Sequence, residues 1–226
     1  MDAPDPGATP PSPDAIRSSI AALRERIVSA GGDPERVTIL GVTKTFPAAW
    51  AAAAFEAGLV ALGENYAGEL VAKAEELRDL PIAWHYLGSI QTNKVPKLVS
   101  VTTCFQGVSR AKEAAAIAQR HPGATIMVQV ELTGLADRNG CPPEGVATLV
   151  AEARRMELDV VGLMTVAPIE PAAARKAFRT TSAMADDLGL QERSMGMTDD
   201  LEVAIEEGST MVRIGRALFG ARPPRT

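Results

Sequence analysis

Short apolar runs of the β type alternate with alanine-rich helical stretches along almost the whole chain. Period and composition predict eight strands, at residues 37–43, 59–62, 82–86, 101–105, 125–130, 158–163, 190–195 and 211–214. Helices are predicted between them, at 47–57, 66–77, 110–120, 144–155, 171–188 and 199–207, the last capped by Thr198. Eight such units within 226 residues favour a single (β/α)₈ TIM barrel. The alternative is an open doubly wound sheet, which would more often show a glycine-rich fingerprint after its first strand, where this chain has VTKTFP.

The chain before the first strand divides into two parts. Residues 1–13 are rich in proline and small residues and lack apolar periodicity, which predicts a disordered tail. An additional amino-terminal helix follows, with Asp14 as its cap and an apolar stripe from Ile16 to Ile27. We therefore expect a tail at 1–13 and one barrel domain at 14–226.

Composition excludes several classes of function. Lys and Arg number 23 against 28 Asp and Glu, and this net charge of -5 argues against a general nucleic-acid or anionic-membrane surface. The two cysteines and two histidines are too few and too far apart for a disulfide framework or a zinc site. No apolar run approaches the roughly 20 residues that span a bilayer, and the first residues do not resemble a secretion signal. We expect a cytoplasmic protein without metal.

The strand ends carry the chemistry that a barrel of this kind would use. Lys44 follows the first strand, where it is either a solvated lysine or a desolvated amine that attacks an aldehyde. Ser194, Gly196 and Gly215 at the last two strand ends are small enough to bring backbone N–H groups to an anion, and 216–219 can form the short helix that often accompanies a phosphate site. An imine-forming lysine beside a phosphate cradle is what pyridoxal 5'-phosphate requires.

Five motifs extend this interpretation. They are GVTKTFP at 41–47, GENYAGE at 63–69, WHYLGSIQTNK at 84–94, GLMTVAP at 162–168 and SMGMTDDLEVAIEEGSTMVRIGRALFG at 194–220. In this order, between residues 23 and 221, they resemble the YggS/PROSC-type pyridoxal phosphate homeostasis proteins. That family shares its barrel with the N-terminal domain of alanine racemases. The resemblance therefore implies a barrel of that type with pyridoxal 5'-phosphate as its cofactor.

The resemblance also implies which residues contact the cofactor ring. Lys44 would hold it as an internal aldimine, and Asn65 of the second motif would lie beside the ring. Arg213 would face the pyridine nitrogen, which then stays unprotonated because a guanidinium keeps its proton. His85, on the third strand, is either a structural hydrogen-bonding group or a further ring contact.

The phosphate site implied by the resemblance consists of Ser194, Gly215 and the residue that follows, Arg216. The family usually has threonine at this last position, so the Arg216 guanidinium would either bind the phosphate or point to solvent. A second departure, Gly107-Val108-Ser109 in place of Ser-Val-Asp, removes a carboxylate from a helix start. A third is Ser89 in the WHYLGS motif. None of these changes affects Lys44.

The leading functional hypothesis is a non-enzymatic protein that holds pyridoxal 5'-phosphate and passes it to apo-enzymes. The racemases of the family need a second, β-rich domain with a catalytic tyrosine, and we expect none in a chain that ends at Thr226; no catalytic residue is therefore assigned. One alternative is a minimal racemase dependent on the same cofactor. Another is an aldolase that uses Lys44 directly on a sugar phosphate. We expect a monomer.

Overall fold

The computed structural model of the chain describes residues 9–135 and 138–220. Within these residues eight parallel strands close into a barrel in which each strand pairs with the next and the last pairs with the first. The strands are β1 (Thr38–Val42), β2 (Ala61–Glu64), β3 (Ala83–Tyr86), β4 (Cys104–Val108), β5 (Thr125–Val130), β6 (Asp159–Thr165), β7 (Glu192–Ser194) and β8 (Met211–Ile214). The predicted (β/α)₈ barrel is confirmed, and the open sheet is excluded.

Helices connect the strands on the outside of the barrel. They are α1 (Pro13–Ser29), α2 (Ala48–Glu56), α3 (Ala67–Glu76), α4 (Val95–Leu98), α5 (Ala111–Ala118), α6 (Pro143–Arg155), α7 (Pro171–Asp187), α8 (Leu201–Glu206) and α9 (Arg216–Phe219). The additional amino-terminal helix is α1, and the short helix predicted after the last strand is α9. None of the helices in the described part of the chain is both long and apolar enough to cross a bilayer.

Two predicted helix caps are wrong. Helix α1 begins two residues earlier than expected, because the hydroxyl of Ser12 accepts from the backbone N–H of Ala15 at 3.2 Å and Pro13 takes the first helical position. Helix α8 begins later, after Asp200, whose carboxylate accepts from the N–H of Met197 at 2.5 Å. The expected tail lies mostly at residues 1–8, outside the described ranges.

Strand β4 is displaced from its predicted position by three residues. It runs from Cys104 to Val108, and its pairing with β5 shifts register between Phe105 and Val108. The run at 101–105 is apolar, but its first residues follow the single turn α4 instead of entering the sheet. The displacement brings Gln106 onto the strand, fully buried.

Two apolar layers hold the barrel together. The larger lies between the strands and the helices, and the smaller fills the barrel interior with a buried cluster of Leu40, Cys104, Met127, Met164 and Met211. Flexible methionines suit this position, since a chain with only 4% aromatic residues must fill an irregular interior with aliphatic side chains. The next inward-facing residue on several strands is polar, so the interior changes from apolar to polar toward the carboxyl ends of the strands.

The interior methionines provide a test of this packing. Met127 is 1% exposed in the barrel, and we expect Met127→Ala to lower the free energy of unfolding by about 2–5 kcal/mol through lost contacts and a cavity. Met197 is 40% exposed on a loop, and Met197→Ala is the matched control, with an expected change within about 0.5 kcal/mol. Urea unfolding of the three proteins measures both values, and equal stabilities would contradict the packing described.

Candidate functional site at the carboxyl ends of the strands

Lys44 lies in the turn that follows β1, at the mouth of the barrel. Its side chain is half-buried, whereas the preceding Thr43 is fully buried. The N–H of Phe46 donates to the Thr43 carbonyl at 3.1 Å and closes the turn. Thr45 adopts a φ of 68°, a left-handed conformation that is costly for a β-branched residue. The turn that carries Lys44 is thus compact and partly strained.

The pairing of β1 with β8 brings the end of the last strand beside Lys44. Gly41 pairs with Ile214, so the following residues of the two strands run side by side. A Cβ atom built on Gly215 would lie 3.4 Å from the Val42 carbonyl oxygen, which is ordinary van der Waals contact. Lys44 and the loop after β8 therefore share one edge of the barrel mouth, as the sequence predicts.

Arg213 is a buried cation inside the barrel. Its side chain donates to the Ser194 carbonyl at 2.5 Å, to the Ser194 hydroxyl at 3.0 Å and to the Thr165 carbonyl at 2.7 Å. Burial lowers the pKa of Arg213 to about 10, so the guanidinium stays charged at neutral pH. None of the ion pairs found in residues 9–135 and 138–220 includes Arg213. Its positive charge is held by neutral oxygens.

Hydrogen bonds continue from Arg213 across the barrel to His85. The Ser194 hydroxyl donates to the Gln106 side-chain oxygen at 2.7 Å, and the Gln106 amide nitrogen lies 2.7 Å from His85 Nδ1. Because the amide nitrogen can only donate, Nδ1 is the acceptor and Nε2 carries the ring proton. Burial lowers the pKa of His85 to about 4, so the ring is neutral. Four strands are joined by this chain of polar side chains.

His85 also borders a second space, on the side of the barrel away from Lys44. A cavity of about 470 Å³ opens at the amino ends of the strands, and its wall includes His85, Cys104, Met127 and Met211. The structure therefore assigns His85 a hydrogen-bonding position in the interior. The contact with Gln106 is that of a structural hydrogen-bonding group, and the further ring contact of His85 stays a prediction.

Asn65 follows β2, and its backbone lies close to Gly88 in the loop after β3, which in turn lies close to Gly107 on β4. A Cβ atom built on Gly88 would lie 2.0 Å from the Asn65 carbonyl oxygen, and one built on Gly107 would lie 2.2 Å from the Gly88 carbonyl oxygen. Backbone meets backbone at both points, so no larger residue fits without displacing a loop. The loops after β2 and β3 and the end of β4 are stacked in this way, and this stacking places Asn65 at the mouth. Gly107 therefore has a steric role in this chain.

The residues predicted for the phosphate lie in two different settings. Gly215 precedes α9 at the rim, and the side chain of the following Arg216 is 61% exposed and ion-paired with Asp199. The Ser194 hydroxyl lies deeper, bonded to Gln106 and Arg213. Of the two side-chain positions considered for Arg216, the structure shows the solvent-facing one.

Sequence reasoning missed two buried residues of the site. Gln106 was missed because the predicted strand ends one residue before it. Lys73 on α3 was also missed, although its spacing of four residues from Glu69 is a signal that the two side chains meet on one helix face. Both residues are buried and hydrogen-bonded to predicted site residues or their neighbours.

The donor set at the mouth suits a particular kind of ligand. The half-buried Lys44 lies on the same edge of the barrel mouth as the loop that begins at Gly215. The buried guanidinium of Arg213, which has no ion-pair partner in the described ranges, lies next to them inside the barrel. A buried cation whose hydrogen bonds all go to neutral oxygens favours an anionic or electron-rich partner. Pyridoxal 5'-phosphate has an aldehyde, a ring nitrogen and a phosphate, so its chemistry fits the residues present.

Comparison with known proteins gives the same family. Residues 12–223 match the family model described as alanine racemase, N-terminal domain. The chain is 41% identical over 218 residues to the pyridoxal phosphate homeostasis protein of Pseudomonas aeruginosa, with 92% of this chain and 94% of that protein covered. The protein of the same name from Aquifex aeolicus is 34% identical over 206 residues, with 85% and 90% covered. This chain belongs to the alanine racemase N-terminal domain family. Within it, the chain is grouped with the pyridoxal phosphate homeostasis proteins, as its five motifs predict.

Solved structures agree with this placement. PipY of Synechococcus elongatus, determined with PLP bound, superposes with a TM-score of 0.76 at 31% identity and covers 88% of this chain and 100% of its own. Lysine decarboxylase from Selenomonas ruminantium superposes with a TM-score of 0.73 at 14% identity, and the match covers 95% of this chain but 64% of the enzyme. The second similarity shows the barrel fold alone.

His85 gives a pH-dependent test of the interior hydrogen-bond chain. The unfolded chain binds a proton at His85 below about pH 6.5, whereas the folded protein does so only near pH 4. Stability conferred by the neutral ring is therefore lost as pH falls through this window. Glutamine does not titrate. We therefore expect the free energy of unfolding of His85→Gln to fall by about 2 kcal/mol less than that of the natural protein between pH 6.5 and 4.5. Urea unfolding at both pH values measures this, and an equal loss in the two proteins would place His85 elsewhere.

Proposed function

We propose that this protein binds pyridoxal 5'-phosphate at the carboxyl-terminal mouth of its barrel and holds it through Lys44, in the service of cofactor homeostasis. The observation that carries the proposal is the position of Arg213 inside the barrel, below Lys44. It is a buried cation whose hydrogen bonds all go to neutral oxygens. The relatives named for this role match 94% and 90% of their own lengths, and the similar structure of PipY contains PLP. These findings support the same ligand in this chain.

Lys44 supplies the covalent contact in this proposal. Bound pyridoxal 5'-phosphate supplies an aldehyde that condenses with a deprotonated primary amine: a C=N bond forms, and the aldehyde oxygen leaves as water with the two amine hydrogens. Asn65 would lie beside the ring, and His85 would support Arg213 indirectly, through Gln106 and Ser194.

Arg213 would decide how reactive the held ligand is. A guanidinium that stays charged at neutral pH only donates, so a pyridine nitrogen facing Arg213 remains an unprotonated acceptor. An unprotonated ring withdraws electrons less strongly than a protonated one, which favours storage over turnover. We therefore propose a non-catalytic role, and no described contact favours the racemase or the aldolase alternative.

Transfer to apo-enzymes is part of the proposed role. Large apolar side chains are exposed on four loops at the mouth of the barrel, at Tyr66, Leu135, Ile169 and Met197. A partner that receives the ligand must approach this same mouth, so transient contact with an apo-enzyme would cover these side chains. We propose that the protein acts as a monomer. A cytoplasmic location is supported by its two cysteines, Cys104 and Cys141, which are both free thiols.

The covalent contact is tested by trapping. The natural protein mixed with pyridoxal 5'-phosphate and reduced with borohydride should carry the added mass on Lys44, and Lys44→Ala should carry none while it unfolds at nearly the same urea concentration. Lys176→Ala, which removes an exposed lysine from α7, is the control and should trap as the natural protein does. Peptide mapping by mass spectrometry identifies the modified lysine. Modification at a different residue would overturn the assignment.

The phosphate contact is tested with the unphosphorylated ligand. We propose that the backbone at Gly215 and Arg216 binds the phosphate, with Ser194 behind it, and that the Arg216 side chain contributes little because it is exposed and paired with Asp199. Pyridoxal 5'-phosphate should then bind at least about a hundredfold more tightly than pyridoxal, since two or more charge-assisted bonds are lost. Arg216→Ala should change the affinity less than about fivefold. Titration calorimetry measures both, and a larger loss in Arg216→Ala would assign the guanidinium to the phosphate.

A further inference from the structure

A buried ion cluster lies outside the barrel, beneath the turn that carries Lys44. It consists of Glu64 at the end of β2 and of Glu69 and Lys73 on α3; these three residues are called the Lys73 cluster below. Lys73 Nζ lies 2.5 Å from Glu64 Oε1 and 3.7 Å from Glu69 Oε2. Glu64 is fully buried and Lys73 is 5% exposed. Charges so placed lose their hydration, so they need close partners.

All three members of the Lys73 cluster bind the turn. Lys73 Nζ donates to the Thr43 carbonyl at 2.8 Å, and the Thr43 hydroxyl donates to Glu64 Oε1 at 2.6 Å. The backbone N–H of Thr45 donates to Glu69 Oε2 at 2.8 Å. Thr43 and Thr45 are the two neighbours of Lys44, so the cluster fixes the backbone on both sides of that residue.

The turn needs such support. Thr45 has a φ of 68°, and a β-branched residue keeps a left-handed conformation only where its surroundings impose it. The Thr45 hydroxyl and Glu64 Oε2 are moreover buried without a hydrogen-bond partner in the described part of the structure. The bond from the Thr45 N–H to Glu69 is therefore an important restraint on this conformation.

Stability alone does not account for the Lys73 cluster. Burial raises the pKa of Glu64 to about 7 in spite of Lys73, and the other groups facing this carboxylate are the Thr43 hydroxyl and Glu69. Buried ion pairs often add no stability over apolar residues of the same size, because desolvation offsets their attraction. The cluster contains an unsatisfied oxygen of Glu64 and contacts the strained residue Thr45, directly beside Lys44. The geometry that it imposes on the turn explains it better than stability does.

We propose that Glu64, Glu69 and Lys73 are positioning residues that hold the turn at 43–45 so that the Lys44 amine points at the ligand's aldehyde carbon. The inference rests on the proposed role of Lys44. It separates two functions of the site: the loops after β7 and β8 provide affinity, and the Lys73 cluster controls formation of the covalent link. Loss of the cluster should accordingly impair link formation more than ligand binding.

Two substitutions of Glu69 test this directly. Glu69→Gln keeps an oxygen that can accept from the Thr45 N–H, whereas Glu69→Ala removes the acceptor. Glu69 is the most exposed member of the cluster, so both variants should fold. Glu170→Ala is the matched control, because it also removes a carboxylate that accepts from backbone N–H groups, those of Ala172 and Ala173 in the first turn of α7, and none of its contacts in the described ranges is with the turn of Lys44.

Each protein is titrated with two ligands. Pyridoxal 5'-phosphate reports link formation through the yield of borohydride trapping on Lys44, and pyridoxine 5'-phosphate, an alcohol that cannot form the link, reports binding by calorimetry. Glu69→Ala should lower the equilibrium constant for link formation roughly tenfold and leave the affinity for the alcohol within about twofold. Glu69→Gln should lose less than Glu69→Ala, and Glu170→Ala should resemble the natural protein in both measurements.

The Lys73 ammonium is tested by Lys73→Met and Lys73→Arg. Lys73→Met should trap poorly, and Lys73→Arg should recover part of the yield because it restores a donor to the Thr43 carbonyl. Equal trapping by Glu69→Ala and the natural protein, or a parallel fall in affinity for both ligands, would overturn the positioning role. Failure of the natural protein itself to trap on Lys44 would instead overturn the proposed function, so the two failures are distinguishable.

Discussion

The pairing of β1 with β8 is the contact on which the rest of this structure depends. Four registered pairs, from Thr38 with Met211 to Gly41 with Ile214, close the barrel between its first and last strands. Closure satisfies the backbone groups that two sheet edges would leave unpaired. It also brings together Lys44 and Gly215, which are separated by most of the chain. The site is therefore made by the same hydrogen bonds that complete the fold.

Inside the closed barrel, the side chains change character with depth. An apolar layer built largely of methionine lies below, and a polar chain from His85 through Gln106 and Ser194 to Arg213 lies above. A buried guanidinium is stable there because its hydrogen bonds go to oxygens that are fixed on β6 and β7. The carboxyl-terminal end of the barrel interior thus contains the positive charge of Arg213, whose hydrogen bonds go to neutral oxygens. In the proposed function this charge faces an electron-rich partner.

A second group of charges lies on the other side of the sheet. The Lys73 cluster is packed between β1, β2 and α3, and it binds the backbone of the Lys44 turn. In the proposed function, the interior chain from His85 to Arg213 would act on the ring of the ligand, and the Lys73 cluster would act on the Lys44 amine. A protein that stores a reactive aldehyde benefits from such a division, because affinity and covalent capture can be adjusted separately.

The sequence by itself determines the strand–helix alternation, the barrel and its family, because periodicity and short motifs are local properties. It also predicts that Lys44 and Gly215 meet at the barrel mouth, since all strand ends of a parallel barrel share one rim. The tertiary structure alone decides that β4 starts at Cys104, that Gln106 joins Ser194 to His85, and that Arg216 pairs with Asp199. These features depend on register shifts and on contacts between distant segments. A periodic pattern in the sequence contains no information about register or about contacts between distant segments. A strand displaced by three residues still fits the apolar pattern, although different side chains then enter the barrel.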